Sequence, residues 1–378
     1  MYTVKCDNYI LLDTTHNLLD ATLDMAMNTA GEFKFTIDSS HPNFGKIKLL
    51  KSVIDVYNGT ELRWSGRPIS IDINWQNQYI VTCEGELAYL NDVLVRPFSF
   101  PLDGAHTTPA DYFAYLINQF NDKIFPATRR LTLGDIQVRD PNNYCARSDT
   151  EYSSAWQLIK EGLLDIYGGY LVFRHSDDLD YWGNPAIYID YIQPEESYAE
   201  PTGQFIKFAV NLLDIETEKS GIDVVTAIVP LGATIAGTDE RLTVTSLPDE
   251  PLDWADDDDI LKFGDHVYSN SAVQTYGYKE QIVVWDDVTV AANLLNKAKE
   301  FYDTLWRVTS TTRLTAVDLA NVEGFDVRAL HIGDIIPVES EPHAAIHGFN
   351  NLCMVKQLHI NIFDAADSAV SVETSIKL

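Results

Sequence analysis

Positive charge is scarce in this chain: 27 lysines and arginines stand against 56 aspartates and glutamates, a formal net charge of −29 across 378 residues. Phosphate binding requires clustered Lys and Arg, so the chain is not built to hold a nucleic acid backbone. Cysteine is nearly absent as well. Cys6, Cys83, Cys145 and Cys353 lie far apart, with no Cys-x-x-Cys and no histidine at zinc-ligand spacing. They read as small buried hydrophobes, without disulfides in a reducing compartment. No apolar run approaches the about 18 residues that span a bilayer, so no membrane insertion is expected. The opening Met1-Tyr2-Thr3-Val4-Lys5-Cys6-Asp7 lacks the basic region and long apolar core of a signal peptide, which predicts folding in a cytoplasm.

Catalytic signatures are equally sparse. There is no Gly-x-Ser-x-Gly, no His-Glu-x-x-His and no phosphate-binding glycine loop. Cys145 could serve as a thiol nucleophile with a distant histidine, but Asn143-Tyr144-Cys145-Ala146-Arg147 matches no peptidase pattern. The pairs Glu84/Glu86 and Glu195/Glu196 have the residue types of a glycosidase, yet acid pairs arise readily on solvated faces of so acidic a chain. Asp256, Asp257, Asp258 and Asp259 could gather calcium but lack the spacing and glycine of a defined calcium loop. Tyr181-Trp182-Gly183, Tyr188 and Tyr191 could stack on sugars, or pack a core or subunit contact. The expectation is a protein that is not an enzyme, with no metal and no cofactor.

What the chain has is apolar alternation. Hydrophobic content of 46% and aromatic content of 11% are ample for packed cores. Two stretches at opposite ends read as variations on one β unit. The first runs Val53-Ile54-Asp55-Val56-Tyr57, turns at Asn58-Gly59, continues over residues 62–73 with a bend at Gly66, and closes Tyr79-Ile80-Val81-Thr82-Cys83. The second runs Asp334-Ile335-Ile336-Pro337-Val338, bends at Gly348, continues over 355–362 and closes Val370-Ser371-Val372-Glu373. Period-two alternation is the mark of a sheet with one buried face. Two meanders can also share such a pattern by chance. If the doubling is real, residues 62–73 should superpose on 346–362, with Gly66 and Gly348 at comparable bends.

Between the two ends the pattern mixes. Thr108-Pro109-Ala110-Asp111 is a helix start, followed by Tyr112, Phe113, Leu116, Ile117 and Phe120 on one face. A second helix is predicted from Ser153-Ser154 to Gly168-Gly169, then strands at Tyr170-Leu171-Val172-Phe173 and Ile187-Tyr188-Ile189-Asp190-Tyr191. Later come a strand ending Pro230-Leu231-Gly232, an acidic loop and a helix over 290–305. The fold class is α+β, mainly β, with residues 1–97 as a first small β-barrel and 98–200 as an α/β insertion. Residues 201–265 and 310–378 form a second barrel, with the strand from Ala227 close to it, and 266–309 a helix-containing insertion.

Four stretches carry a resemblance: Ala227-Ile228-Val229-Pro230-Leu231-Gly232; Tyr276-Gly277-Tyr278-Lys279-Glu280 with the helix that follows; Leu314-Thr315-Ala316-Val317-Asp318-Leu319 leading to Leu330-His331-Ile332-Gly333-Asp334; and the first block's end, Glu84-Gly85-Glu86-Leu87-Ala88-Tyr89-Leu90. In order and spacing the chain resembles the tail-associated (Tal) or baseplate hub proteins of long-tailed phages, with a hub fold like that of contractile-tail phages. The resemblance implies two related small barrels with two inserted domains, assembled as a homotrimer. It implies a place in the virion at the distal tail tip or baseplate, beneath a hexameric distal tail protein and beside other tail proteins, after assembly in the bacterial host cytoplasm. DNA would pass without specific binding during genome ejection, from a phage or prophage. Ordinary acidic solubility accounts for the charge; the sharper reading is an acid-lined conduit. Many family members carry a C-terminal peptidase or lysozyme, and ending at Leu378 implies that this activity is not encoded here. The candidate structural motif positions are Gly66, Gly85, Gly232, Tyr276, Gly277, Asp318, Leu319, Gly333, Asp334 and Gly348. Two alternatives stand beside this: a tail-associated cell-wall hydrolase and a sugar-binding receptor module.

Overall fold

Strands from the two ends of the chain meet in one long, mostly antiparallel sheet, and the smaller parts hang from its connections. The structure is a computed structural model and describes residues 2–180, 183–193, 203–221, 224–250, 260–303, 309–321, 327–342, 352–364 and 368–377. The protein is of α+β class and mainly β, as expected.

Seven strands open the chain: β1 (Tyr2–Cys6), β2 (Tyr9–Leu12), β3 (Asp20–Ala26), β4 (Glu32–Ile37), β5 (Ile54–Asn58), β6 (Glu61–Ile73) and β7 (Tyr79–Gly85). They lie in the order β2-β1-β5-β6-β7-β4-β3. β4 shows how the sequence dictates this: Phe33, Phe35 and Ile37 are buried, while Glu32 and Lys34 between them face outward. Each such buried side chain contributes roughly 1.5–3 kcal/mol. Val4, Leu23, Ile54, Val56 and Val81 join them in one core.

An α/β segment follows, with β8 (Phe98–Phe100), β9 (Leu131–Ile136), β10 (Arg147–Asp149), β11 (Tyr170–Leu179) and β12 (Pro185–Ile192). β12 runs parallel to β9 and antiparallel to β11. The helix Pro109–Asn121 begins as its residues demand. Asp111 N donates to Thr108 Oγ1 at 3.1 Å, and Thr108 N donates back to the Asp111 carboxylate at 3.0 Å. A reciprocal cap of this kind contributes about 1 kcal/mol. Ser154 caps the second helix, Ala155–Ile159, which continues through a π turn to Tyr167 and stops at Gly168 with φ +68°.

β13 (Ile206–Lys207) and β14 (Leu212–Ser220) return to the long sheet. The chain then leaves it for a four-stranded sheet of β15 (Ala227–Leu231), β16 (Ile260–Phe263), β17 (His266–Ser269) and β18 (Glu280–Val284), with helices Asn270–Tyr276 and Ala291–Asp303. This corrects one expectation. β15 and β16 fall within 201–265, assigned from sequence to the second barrel, yet β15 pairs with β17 and β18 and β16 with β17. The reason is packing: Ile228 shares a core with Val267, Ala298 and Tyr302 of the helix-containing part.

β19 (Thr309–Ala316), β20 (Ile335–Glu339), β21 (Leu352–Asn361) and β22 (Ala369–Lys377) complete the long sheet. Its two halves repeat one another. In the first, the chain-ordered strands β3, β4, β5, β6 and β7 lie as β3-β4-β7-β6-β5; in the second, β14, β19, β20, β21 and β22 lie as β14-β19-β22-β21-β20, every pair antiparallel. They differ at the margin, where β5 pairs antiparallel with β1 but β20 pairs parallel with β13. Gly348 lies outside the described residues, so its expected match with Gly66 does too.

Candidate functional site

β21 is the strand on which the halves meet. Its first residues pair with β20, its last five with β3, from Gln357 opposite Ala26 to Asn361 opposite Thr22. His359 and Asp24 stand opposite each other with Nδ1 and Oδ1 2.6 Å apart.

A half-buried charge cluster ties the start of β6 to the loop before β20. Arg63 is 8% exposed. It donates to Glu61 at 3.2 Å and to the Leu330 carbonyl, and its Nη1 lies 2.8 Å from His331 Nε2. His331 also bonds Glu61 and meets Arg328, whose Nη2 donates to Asp334 Oδ1 at 2.9 Å. The His331 backbone N–H donates to Asp334 Oδ2 at 2.7 Å. Burial opposes charge on His331, but hydrogen bonds to Asp334 and Glu61 outweigh it and raise its pKa. Burial likewise opposes ionisation of Asp334, and bonds from His331 and Arg328 prevail to lower its pKa. The hydrogen bond with His331 lowers that of Glu61.

The inserted parts are tied in by polar contacts of their own. Asn28 donates to the Gly169 carbonyl and accepts from Leu171 N, both at 3.0 Å. Between the two insertions, Lys297 lies 3.3 Å from Asp140 and 3.5 Å from Asp287, and Asp287 lies 3.3 Å from Arg147.

Of the sequence-chosen motif positions, only some come together. Gly66 and Gly85 are opposite one another in the β6–β7 ladder. Gly333, with φ +90°, sits where a Cβ would strike the Tyr170 hydroxyl at 2.6 Å and its ring at 2.7 Å. Asp334 belongs to the junction cluster. Asp318, 4% exposed, accepts from Gln204 Nε2 at 2.6 Å, and Leu319 N donates to Gln204 Oε1 at 3.1 Å. Gly232, Tyr276 and Gly277 lie apart in the four-stranded region: a Cβ at Gly232 would meet the Val288 carbonyl at 2.6 Å, and Gly277 ends the helix Asn270–Tyr276 with φ +83°. Sequence reasoning missed Glu61, Arg63, Arg328 and Asp24, whose partners are remote in the chain.

The residues weighed for chemistry are otherwise engaged. Burial pushes the Cys145 thiol up to about 11, far from a reactive thiolate. Glu84 is paired with Arg67 at 2.7 Å and Glu86 with His175 at 2.7 Å, two separate ion pairs. Tyr191 is buried and donates to the Gly168 carbonyl at 2.6 Å, and Tyr188 lies under the Arg174 guanidinium. Glu195, Glu196, Tyr181, Trp182 and the run Asp256, Asp257, Asp258 and Asp259 lie outside the described residues. Among the described residues no cluster of three metal-ligating side chains occurs, and no helix is long and apolar enough to cross a membrane.

Residues 200–347 match the family model described as prophage endopeptidase tail. No curated protein matches the sequence. Among solved structures, the chain is similar to the 43 kDa tail protein of prophage MuSo2 from Shewanella oneidensis, with TM-score 0.59 and 12% identity over 100% of this chain and 98% of that one. It is similar to the tail protein from Neisseria meningitidis, with TM-score 0.58 and 12% identity over 99% and 96%. It is similar also to a prophage tail protein from Listeria monocytogenes, with TM-score 0.55 and 13% identity over 99% and 94%. The fold is thus one these tail proteins share from end to end, and the expected likeness to phage tail proteins is borne out.

Proposed function

We propose that this chain is a non-enzymatic structural protein of a phage virion: a trimeric hub at the distal end of the tail or baseplate, which closes or continues the tube and opens for DNA. The repeated five-strand order in the two halves of the long sheet carries this reading. A three-fold object meets a hexameric ring poorly unless each subunit offers two similar surfaces. With two halves per chain, three subunits alternate them around one ring of six, facing a hexameric distal tail protein. Residues 1–97 are then a first small barrel and 98–200 an insertion. The second barrel is drawn from the strands near 206–220 and 309–377, with the helix-containing part between them. The charge of −29 suits a passage that DNA crosses without being held, so the surface facing the axis should be net acidic or neutral.

The deciding experiment is mass in solution by light scattering. A particle near three times 42.5 kDa is expected, and a monomer at every concentration would defeat the hub. The family description includes an endopeptidase, so a tail-associated cell-wall hydrolase is the second reading. Release of soluble peptides or muropeptides from peptidoglycan, abolished by a single Glu or Cys substitution, would favour it.

A further inference from the structure

The two halves of the long sheet share residue register as well as strand order, and their β-bulges fix it. β6 bulges against β7 between Pro68 and Ser70; β21 bulges against β22 between Val355 and Gln357. Setting bulge on bulge matches Ser70 with Gln357, Ile71 with Leu358, Asp72 with His359 and Ile73 with Ile360. The adjoining ladders carry the match outward, Cys83 to Val372, Phe33 to Leu314 and Leu23 to Ile215. On the other side Ile54 and Val56 fall on Ile336 and Val338, all four buried.

The last part of β21 is covered by β3. Met27 N donates to Lys356 O at 2.9 Å and Ile362 N to Ala21 O at 3.0 Å, which sets the phase of that ladder. The backbone N–H and C=O of Leu358 and Ile360 therefore point at β3. The matching part of β6 has β7 on one side and, among the described residues, no strand on the other, since β5 pairs only as far as Gly66. Here Asn74 N donates to Gln78 O at 3.1 Å, so Ser70 and Asp72 face β7 and the backbone groups of Ile71 and Ile73 face the open edge. Burial records the difference: Ile360 is 3% exposed and Ile73 is 63% exposed. At the far end of the sheet β14 is the terminal strand, paired among the described residues with β19 alone. Its Ile215 and Thr217 occupy the places of Leu23 and Met25, which face β21 inside the chain.

We propose that the open half of β6 pairs antiparallel with β14 of the next subunit, repeating between chains the β21–β3 seam found within each. Ile71 then exchanges backbone hydrogen bonds with Thr217 of the partner subunit, and Ile73 with Ile215 of the partner subunit. The contact is head-to-tail, so it closes only as a ring, and six sheet halves make that ring when three chains join. This rests on the trimeric hub reading and adds the edges that make it. One pair in the register is unfavourable. Asp72 faces Glu216 of the partner subunit, where the internal seam has His359 facing Asp24. Arg313, opposite Glu216 in the β14–β19 ladder, supplies local positive charge.

Three variants of the full chain test the seam by light scattering and sedimentation. Ile73→Pro removes an N–H aimed at the open edge and leaves the β7 ladder intact. It should weaken assembly by about tenfold or more with an unchanged melting temperature. Asp72→His copies the internal seam and should tighten assembly. Asp72→Cys with Glu216→Cys places two thiols across a non-hydrogen-bonded pair, about 4.5 Å between Cα atoms and within bridging range. Oxidation should then give a covalent trimer that reductant releases. If Ile73→Pro fails to fold, the cysteine pair decides. A wild-type trimer that tolerates Ile73→Pro and forms no cross-link overturns the seam and leaves the hub standing; a wild type that stays monomeric overturns both.

Discussion

Gly66 and Gly85 face each other across the β6–β7 ladder, and the indole of Trp64 lies against both. A Cβ on Gly66 would lie 2.5 Å from the Trp64 ring, and one on Gly85 2.1 Å from the Ala30 carbonyl and 2.9 Å from Trp64 Nε1. The indole in turn packs on Phe33 at 5.8 Å between ring centroids, inside the first core. Gly85→Ala pushes a methyl group into backbone that has no rotamer to change. It should cost about 1–3 kcal/mol, read as a lower urea midpoint at unchanged slope. Trp64→Ala should cost more, about 3–5 kcal/mol, because it empties the slot. A Gly85→Ala protein as stable as wild type would show that the two strands can part to admit a side chain.

All four cysteines are buried and free. Burial pushes Cys6 and Cys145 up to about 11 and Cys353 up to about 12, and raises Cys83 as well. In the native protein none should react with an aromatic disulfide reagent near neutral pH within the time that unfolded protein reacts completely. Four thiols should appear on adding denaturant. A fast-reacting native thiol abolished by Cys145→Ser would reopen the nucleophile reading.

Much of this architecture was legible in the sequence for local reasons. The Thr108 cap, the Gly168 stop and the apolar alternation of β4 are set by neighbours within a few residues, and each element stands where its pattern puts it. The doubling was legible as a pattern, since the meanders β5-β6-β7 and β20-β21-β22 pair alike. Which sheet a strand joins was not. β15 reads as a sound strand in either setting, and only contacts with Ala298 and Tyr302, some seventy residues on, decide for the four-stranded sheet. The Glu61–Arg63–His331 junction was hidden for the same reason: an alternating charge in a strand reads as solvated until its remote partner is known.

The link between the insertions rests on Lys297, whose side chain is 7% exposed, between Asp140 at 0% and Asp287 at 11%. Lys297→Met leaves Asp140 buried without its cation. Removing one partner of a buried pair typically costs about 3–5 kcal/mol; the expected loss here is at the low end, because Tyr167 still donates to Asp140 at 3.2 Å. Thermal melting measures it. The double variant Lys297→Met with Asp140→Asn should recover part of the loss, and equal melting of all three proteins would show that the ion pair contributes nothing.

The junction between the sheet halves should respond to pH through His331. Its pKa is raised above the ordinary value near 6.5 by Asp334 and Glu61 against the opposing effect of burial. A raised folded value means the folded state binds the proton more tightly than the unfolded chain does. The stabilisation is therefore complete below about pH 6.5 and fades as pH climbs through the folded value. Glu61, whose pKa is lowered by the same contact, acts in the other direction: its contribution is present above the ordinary carboxylate value and is lost in acid. Stability should fall as pH rises from about 6.5 through the raised folded value of His331, with amides of β20 and the start of β21 exchanging sooner. His175, raised by Glu86 against burial, adds a slope of the same sign from the α/β segment. The informative quantity is thus the difference between wild type and His331→Gln, followed by melting temperature across that window. A shallower slope in the variant is expected, together with loss of the pH dependence of exchange at β20. An identical slope would mean that His331 is not charged at the junction and that Arg63 and Arg328 alone hold Glu61 and Asp334.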